Sequence, residues 1–276
     1  MEYDNYQRNH VIIKGREEEL EKFLNATMKG TGIKHKLQHH TNSNSEDALT
    51  WSCFDTLRSY KPENIVSALN EILEDSFEND KLKDSFENNK PFDFHNEKNI
   101  KIEIGKEYAA PTLIINNKKN EATEVDASIE TDDKLLFFEA KLYSSMGLKN
   151  EEKNQPHNQI ANKLRIGLDY ARNNKKKFYF IFLDIAPLKQ ISELKSKRPR
   201  KSIKEAEEEG SSFAYKWKSA WWFKYYKGGK NNSIKPLREI LKDITSSEEE
   251  ITQVRQNMGW LTWASLFKTT LRAVIK

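Results

Sequence analysis

An aspartate and a glutamate lie in two strand-like stretches that are separated by a short polar turn. Asp126 belongs to an alternating segment, Glu139 belongs to the apolar run KLLFFEAKL, and the turn at 131–134 is TDDK. If the stretches form a hairpin with a two-residue or four-residue loop, both acids lie equally far from its centre. Their Cβ atoms are then expected ~5 Å apart on one face. A three-residue loop would break this register, and Asp-Asp is a weaker turn signal than Asn-Gly.

This pair of carboxylates predicts a cation site. Two carboxylates so close repel each other unless a positive charge lies between them. Mg²⁺ prefers hard oxygen ligands and usually takes one or two protein carboxylates, and Mn²⁺ is the expected substitute. Lys141 follows Glu139 by two residues and points to the same side of its strand. Its ammonium could orient an attacking water or stabilise charge on a phosphate, so the set predicts metal-assisted hydrolysis of a phosphodiester.

Hydrophobic periodicity predicts the elements that position these residues. In chain order these are helices at 46–60 and after Pro62, strands from 100, at 123–130 and at 134–142, a helix opened by Pro156, and a strand at 178–185. Helix, three strands, helix and strand is the order of an α/β sandwich around a mixed sheet. The sequence therefore predicts a mixed central sheet flanked by helices.

The segments outside this core carry weaker signals. A short helix is expected around Arg16–Leu24, and two more are expected after Pro236 and after Ser247. A basic loop is expected at 195–204, while the aromatic run at 213–226 fits a strand period and a helix period equally well. We divide the chain into an N-terminal extension (1–44), a core (45–186) and a C-terminal helical and aromatic extension (187–276) that packs on or next to the core.

The core resembles the PD-(D/E)xK nuclease superfamily. The resemblance rests on Asp126, a gap of twelve residues, and Glu139-Ala140-Lys141 in an apolar strand, together with the α-β-β-β-α-β order. It implies a restriction-endonuclease-like fold. In that fold Asp126, Glu139 and the Ala140 carbonyl bind the metal, and Lys141 assists the nucleophile. The proline that gives the motif its name is missing before Asp126.

The same resemblance implies two further catalytic residues. Many members carry an acid on the helix before the sheet, and Glu46 occupies that place as an additional metal ligand. Many also carry a glutamine on the helix after the lysine strand, and Gln159 matches it, with Lys163 one turn further on the same face. Each residue also has an ordinary explanation. The helix dipole favours a first-turn acid, Asp47 could replace Glu46 in either role, and a helix glutamine is often simply solvated.

Basic residues give a weaker indication of a nucleic-acid partner. The run FAYKWKSAWWFKYY at 213–226 places Lys216 and Lys218 among aromatic side chains, as in a surface that stacks bases and contacts phosphates. Aromatic residues at this density are more often core. We assign Lys163, Lys216 and Lys218 to nucleic-acid binding. The formal charge of +4 permits such a partner without requiring one.

The resemblance implies a metal-dependent DNA endonuclease of bacterial restriction or anti-phage defence. The sequence has no GxxxxGK[ST] loop, so a helicase, ATPase or sensor subunit would supply any motor. A homodimer is a family expectation. The alternatives are a catalytically silent nucleic-acid-binding or adaptor protein on the same fold, an RNA-directed nuclease and a branched-DNA nuclease. The purely structural interpretation of Asp126, Glu139 and Lys141 is a ladder of surface salt bridges on a half-exposed sheet.

Composition limits the other classes of protein. Cys53 is the only cysteine, which excludes an internal disulfide and a zinc or iron–sulfur site built from several cysteines within one chain. Its position on a helical stripe predicts a core residue. No run of 18 apolar residues is present, so no membrane span is expected. The N-terminus lacks the apolar region of a secretory signal, and a cytoplasmic protein is expected.

Overall fold

The computed structural model describes residues 13–25, 46–77, 90–109, 111, 122–142, 159–184 and 235–275. The helices are α1 (Glu17–Asn25), α2 (Glu46–Arg58), α3 (Pro62–Phe77), α4 (Gln159–Asn173), α5 (Lys235–Leu241), α6 (Glu248–Gln256) and α7 (Trp263–Ile275). The strands are β1 (Lys101–Tyr108), β2 (Thr123–Glu130), β3 (Lys134–Ala140), β4 (Lys177–Asp184) and β5 (Met258–Thr262). The predicted core elements are therefore present with bounds that differ by a few residues.

The five strands form one mixed sheet in the order β1-β2-β3-β4-β5. The first three strands are antiparallel neighbours, whereas β4 runs parallel to both β3 and β5. In the β2–β3 hairpin, Ala127 pairs with Phe138 and Glu130 pairs with Leu135. A hydrogen bond from Thr131 N to Lys134 O (3.0 Å) closes the turn. The α/β class, the mixed sheet and the predicted hairpin register are confirmed.

The two central strands are apolar on both faces because each face is covered by helices. In β4, Phe178, Phe180 and Phe182 belong to one buried cluster, and the alternate residues Tyr179 and Ile181 belong to the other. The same alternation in β3 sends Leu135 and Phe137 to the first cluster and Leu136 and Phe138 to the second. Glu139 has the parity of Phe137, so it faces the first cluster.

Helices divide between the two faces of the sheet. Side chains of α4, α5 and α6 form the first cluster, and those of α2, α3 and α7 join the second. Helix α4 approaches the sheet closely at Gly167. A Cβ atom there would come within 3.0 Å of the Phe137 ring and closer still to the Phe178 ring. The glycine thus sets the distance between α4 and the strand that carries Glu139.

Residues after 234 complete the sheet and its helical cover. Strand β5 extends the sheet beside β4, and α7 packs on α2 and α3. The two expected C-terminal helices are present as α5 and α6, and the Ser247 hydroxyl caps α6 by accepting a hydrogen bond from Glu250 N (3.2 Å). Neither β5 nor α7 was expected. The strand has only five residues, and α7 begins at the next residue without a turn that would mark the boundary.

A partly buried ion pair joins the segment that begins α1 to α2. Arg16 donates through Nε and Nη2 to the two carboxylate oxygens of Asp55 at 2.9 and 2.7 Å. Leu20 and Leu24 pack against Trp51 on α2. The helix expected around Arg16–Leu24 is therefore present as α1.

Other sequence expectations have different outcomes. Cys53 is fully buried in the second cluster, and burial raises the pKa of its thiol to about 12, so the core interpretation is confirmed. Pro156, the basic loop at 195–204, and the run at 213–226 with Lys216 and Lys218 lie outside the described residues. Among the described helices, none has both the length and the apolar character required to span a lipid bilayer.

The close contact at Gly167 predicts that alanine at this position destabilises the protein, which is the opposite of its usual effect in a helix. Replacing glycine by alanine inside a helix normally stabilises it by up to ~1 kcal/mol. We expect Gly167→Ala instead to lower the free energy of unfolding by about 1–3 kcal/mol, because the new methyl group would overlap the Phe178 ring. Urea denaturation measures the change. Asn162→Ala on the same helix is the control and should stay within about 0.5 kcal/mol of wild type. A more stable Gly167→Ala protein would contradict the close packing.

Candidate active site

The β2–β3 hairpin brings Asp126 and Glu139 together as the sequence predicted. The register continued one position beyond the Ala127–Phe138 pair sets the two acids opposite each other, and Lys163 of α4 contacts both. The Asp126 carboxylate accepts a hydrogen bond from the Ala140 backbone N–H through Oδ2 (2.7 Å), so its side chain is fixed against β3. The Asp126 side chain is 20% exposed, whereas that of Glu139 is 0% exposed. The pair is thus buried at Glu139 and open to solvent at Asp126.

Lys141 lies where β3 ends, beside two of the predicted site residues, Glu139 and Glu46. Its Nζ is 2.9 Å from Glu139 Oε1 and 3.7 Å from Glu46 Oε2, and its side chain is only 6% exposed. The Lys141 backbone is also held, since its N–H donates to Leu183 O (2.8 Å) and its carbonyl accepts from Trp263 Nε1 (3.1 Å). The ammonium is therefore anchored by two carboxylates and a fixed backbone.

A second lysine, Lys163 of α4, reaches the same carboxylates from above the sheet. Its Nζ contacts Glu139 Oε2 and lies 3.3 Å from Asp126 Oδ1. The side chain is almost fully buried. One ammonium group therefore bridges the two acids, as expected for carboxylates too close to remain unpaired.

Burial and neighbouring charges shift the pKa values of the two carboxyl groups in opposite directions. Burial and repulsion from Asp126 raise the pKa of Glu139, despite the attraction of Lys141 and Lys163. Burial opposes ionisation of Asp126 as well, but the two ammonium groups and the Ala140 hydrogen bond outweigh it, and the pKa of Asp126 is lowered. Carboxyl groups with diverging pKa values are common at sites of acid–base and metal chemistry.

The lysines remain charged in this setting. Burial alone would lower the pKa of Lys141, but attraction to Glu139, Asp126 and Glu46 raises it above its ordinary value. The pKa of Lys163 is raised against the effect of burial by Asp126 and Glu139. Two ammonium groups and two carboxylates therefore form one buried ionic cluster. An exposed salt-bridge ladder does not describe it.

Glu46 and Gln159, the two residues that the resemblance added, differ in their contacts. Glu46 opens α2 and lies beside Lys141, so it adjoins the cluster. Gln159 opens α4 and is exposed. Lys163, one turn further, is the residue of that helix which contacts both acids. The prediction that Lys163 binds nucleic acid remains a prediction, and the structure gives this residue intramolecular partners.

The donor set fits a magnesium ion. Mg²⁺ keeps several waters and needs only one or two protein carboxylates, which Asp126 and Glu139 supply. Both Glu139 oxygens already face ammonium groups, since Oε1 lies 2.9 Å from Lys141 Nζ and Oε2 contacts Lys163. Within the residues that the structure describes, no group of three or more His, Cys, Asp or Glu side chains is arranged to hold a metal.

Two positioning contacts were not foreseen from the sequence. Trp263 holds the Lys141 carbonyl, although the two residues are 122 positions apart. The Lys163 contact with the carboxylates was also missed, although its spacing of four residues from Gln159 placed it on the same helix face. The helical spacing of Lys163 from Gln159 could have predicted that Lys163 faces the site. No local sequence pattern could have predicted the contact of Trp263.

Comparisons of this chain with protein-family models, with curated proteins and with solved structures find no match. The resemblance to PD-(D/E)xK nucleases therefore rests on the residues themselves and on their positions in the hairpin.

The buried cluster predicts strong energetic coupling between Glu139 and Lys141. We expect Lys141→Met alone to lower the free energy of unfolding by about 3–5 kcal/mol, because Glu139 loses one of its two cations. Combining it with Glu139→Gln should recover about 1–3 kcal/mol relative to the sum of the single effects. Urea denaturation of wild type, both single variants and the double variant measures this coupling.

An exposed ion pair provides the matched control for this cycle. Arg238 and Glu248 are joined by two hydrogen bonds (2.5 and 2.8 Å) but lie at the surface. The corresponding cycle of Arg238→Met and Glu248→Gln should show no measurable coupling, since solvent screens such pairs. Additive effects of Glu139→Gln and Lys141→Met would mean that the two groups do not interact as described.

Proposed function

We propose that this protein is a metal-dependent nuclease that hydrolyses phosphodiester bonds in DNA. The observation that carries the proposal is the meeting of Asp126, Glu139 and Lys141 where β3 ends, with two acids opposed across a hairpin and a lysine anchored beside them. In this proposal Asp126, Glu139 and the Ala140 carbonyl supply oxygen ligands to Mg²⁺, with Mn²⁺ as a substitute, and Glu46 holds the Lys141 ammonium.

The burial of these charges supports a functional interpretation over a structural one. Buried ion pairs contribute little net stability, and well-packed apolar residues of similar size often serve a fold as well or better. Four ionisable groups that converge where an otherwise apolar strand ends therefore need another reason to be present. Ionisable groups with shifted pKa values that converge on one point are typical of catalytic sites.

Each residue has a distinct role in the proposed reaction. When bound, Mg²⁺ supplies Lewis-acid stabilisation of the negative charge that develops on the phosphate. Lys141 orients the attacking water, because Glu139 and Glu46 hold its ammonium at a fixed position. The water oxygen bonds to phosphorus as the bond to the leaving sugar oxygen breaks. The proton lost by the water returns to the leaving oxygen through solvent.

The biological setting belongs to the same proposal. A nuclease that carries no P-loop in this sequence would act in restriction or anti-phage defence beside a helicase, ATPase or sensor subunit. A homodimer would allow cleavage of both strands. This setting follows from the family resemblance alone and has less support than the chemistry of the site.

Plasmid cleavage tests the proposal directly. Supercoiled DNA is incubated with wild-type protein in Mg²⁺, Mn²⁺ or EDTA, and nicked and linear products are quantified. We expect metal-dependent cleavage by wild type. Asp126→Asn and Glu139→Gln should each lower the rate by about 10²–10³-fold, because each removes a charged ligand and several kcal/mol of transition-state stabilisation. Linear duplex, single-stranded DNA, RNA and a four-way junction should then identify the preferred substrate.

A carboxylate elsewhere on the sheet controls for general effects of charge removal. Glu103 on β1 pairs with Lys101 (2.5 Å) outside the cluster, so Glu103→Gln should cleave at the wild-type rate. Circular dichroism establishes that each variant is folded. Undiminished cleavage by Glu139→Gln would refute the assignment. Tight DNA binding with no hydrolysis in any divalent metal, with a native partner added, would favour the silent adaptor instead.

A further inference from the structure

The position of the Lys163 ammonium group bears on how a cation enters the site. Nζ bridges Asp126 Oδ1 (3.3 Å) and Glu139 Oε2. It therefore lies between the two carboxylates, which is where a divalent cation shared by them would lie. Within the described part of the chain, these two acids are the ion-pair partners of Lys163.

We propose that Lys163 is an internal competitor for the divalent cation, so that the carboxylate pair binds either the lysine ammonium or the metal. The inference rests on the proposed function only in taking a divalent metal as the ligand. Mg²⁺ binds carboxylate oxygens at about 2.0–2.1 Å, which leaves no room for an ammonium between the same oxygens. Binding of the metal requires Lys163 to withdraw.

The charges of the cluster give the same result. Three carboxylates, those of Asp126, Glu139 and Glu46, face the two ammonium groups, so a divalent cation would leave this largely buried site with one positive charge in excess. Withdrawal of one ammonium group relieves this excess. Lys163 is the group that can leave, because Lys141 is additionally paired with Glu46.

The exchange requires only side-chain rotation. Gly167 holds α4 close against the Phe137 and Phe178 rings, so the helix that carries Lys163 has a fixed position over β3. The lysine side chain has four rotatable bonds, and the neighbouring Asp126 is the partly exposed member of the pair. The ammonium can therefore move toward solvent past Asp126 while the fold stays unchanged. A phosphodiester bound there would offer it a new negative partner.

Isothermal titration calorimetry with Mn²⁺ tests the competition without relying on cleavage. If the withdrawn state is at most ~10% populated, removal of the competitor should tighten binding at least tenfold. We expect this result for Lys163→Met. The control is Lys176→Met, which removes a partly buried lysine that pairs with Glu130 (3.3 Å) away from the site. Its Mn²⁺ affinity should stay within about twofold of wild type.

A second measurement uses the wild-type chain, in case Lys163→Met does not fold. Lysine acylation followed by mass spectrometry should show that saturating Mn²⁺ increases modification of Lys163 and leaves Lys141 protected. Unchanged or weaker Mn²⁺ binding by folded Lys163→Met, or unchanged labelling of Lys163, would overturn the competition while metal-dependent cleavage still supported the nuclease. Failure of both wild type and Lys163→Met to bind Mn²⁺ would overturn the competition and the proposed function together.

Discussion

The structure depends on the two ammonium groups that surround the Glu139 carboxyl group where no solvent reaches it. A buried carboxylate without partners would take up a proton or destabilise the fold. Lys141 and Lys163 contact its two oxygens, one from the end of the same strand and one from the overlying helix. Asp126 shares one of these cations and tightens the arrangement through its hydrogen bond with Ala140. Removing any of these groups would leave another uncompensated.

The partners of Glu139 come from distant parts of the chain, so the whole α/β sandwich is needed to hold them. The hairpin supplies Asp126, and α4 supplies Lys163 at a distance that Gly167 sets. Helix α2 begins beside Lys141 with Glu46. Trp263 at the start of α7 holds the Lys141 carbonyl. The residues after 234 are thus part of the framework of the site.

The sequence predicted the hairpin and its acids well because the information is local. Asp126 and Glu139 are symmetric about the polar turn at 131–134, so alternation together with a two-residue or four-residue loop fixes the register. Strand β5 was missed because five residues are too few for a periodic signal, and its pairing with β4 is a long-range contact. Helical phase placed Gln159 and Lys163 on one face. Only the packing of α4 shows that Lys163 reaches the acids and Gln159 stays exposed.

The arrangement of charges that stabilises the metal-free protein differs from the arrangement that binds a cation. With both ammonium groups in place Asp126 and Glu139 are paired, which favours a stable resting fold but leaves a cation no position between them. With one ammonium withdrawn, the acids attract a cation strongly, and the displaced positive charge needs a new partner. A nucleic-acid phosphate can meet that need while it also approaches the metal. The binding of metal and substrate should therefore be mutually favourable, because each compensates the charge that the other exposes.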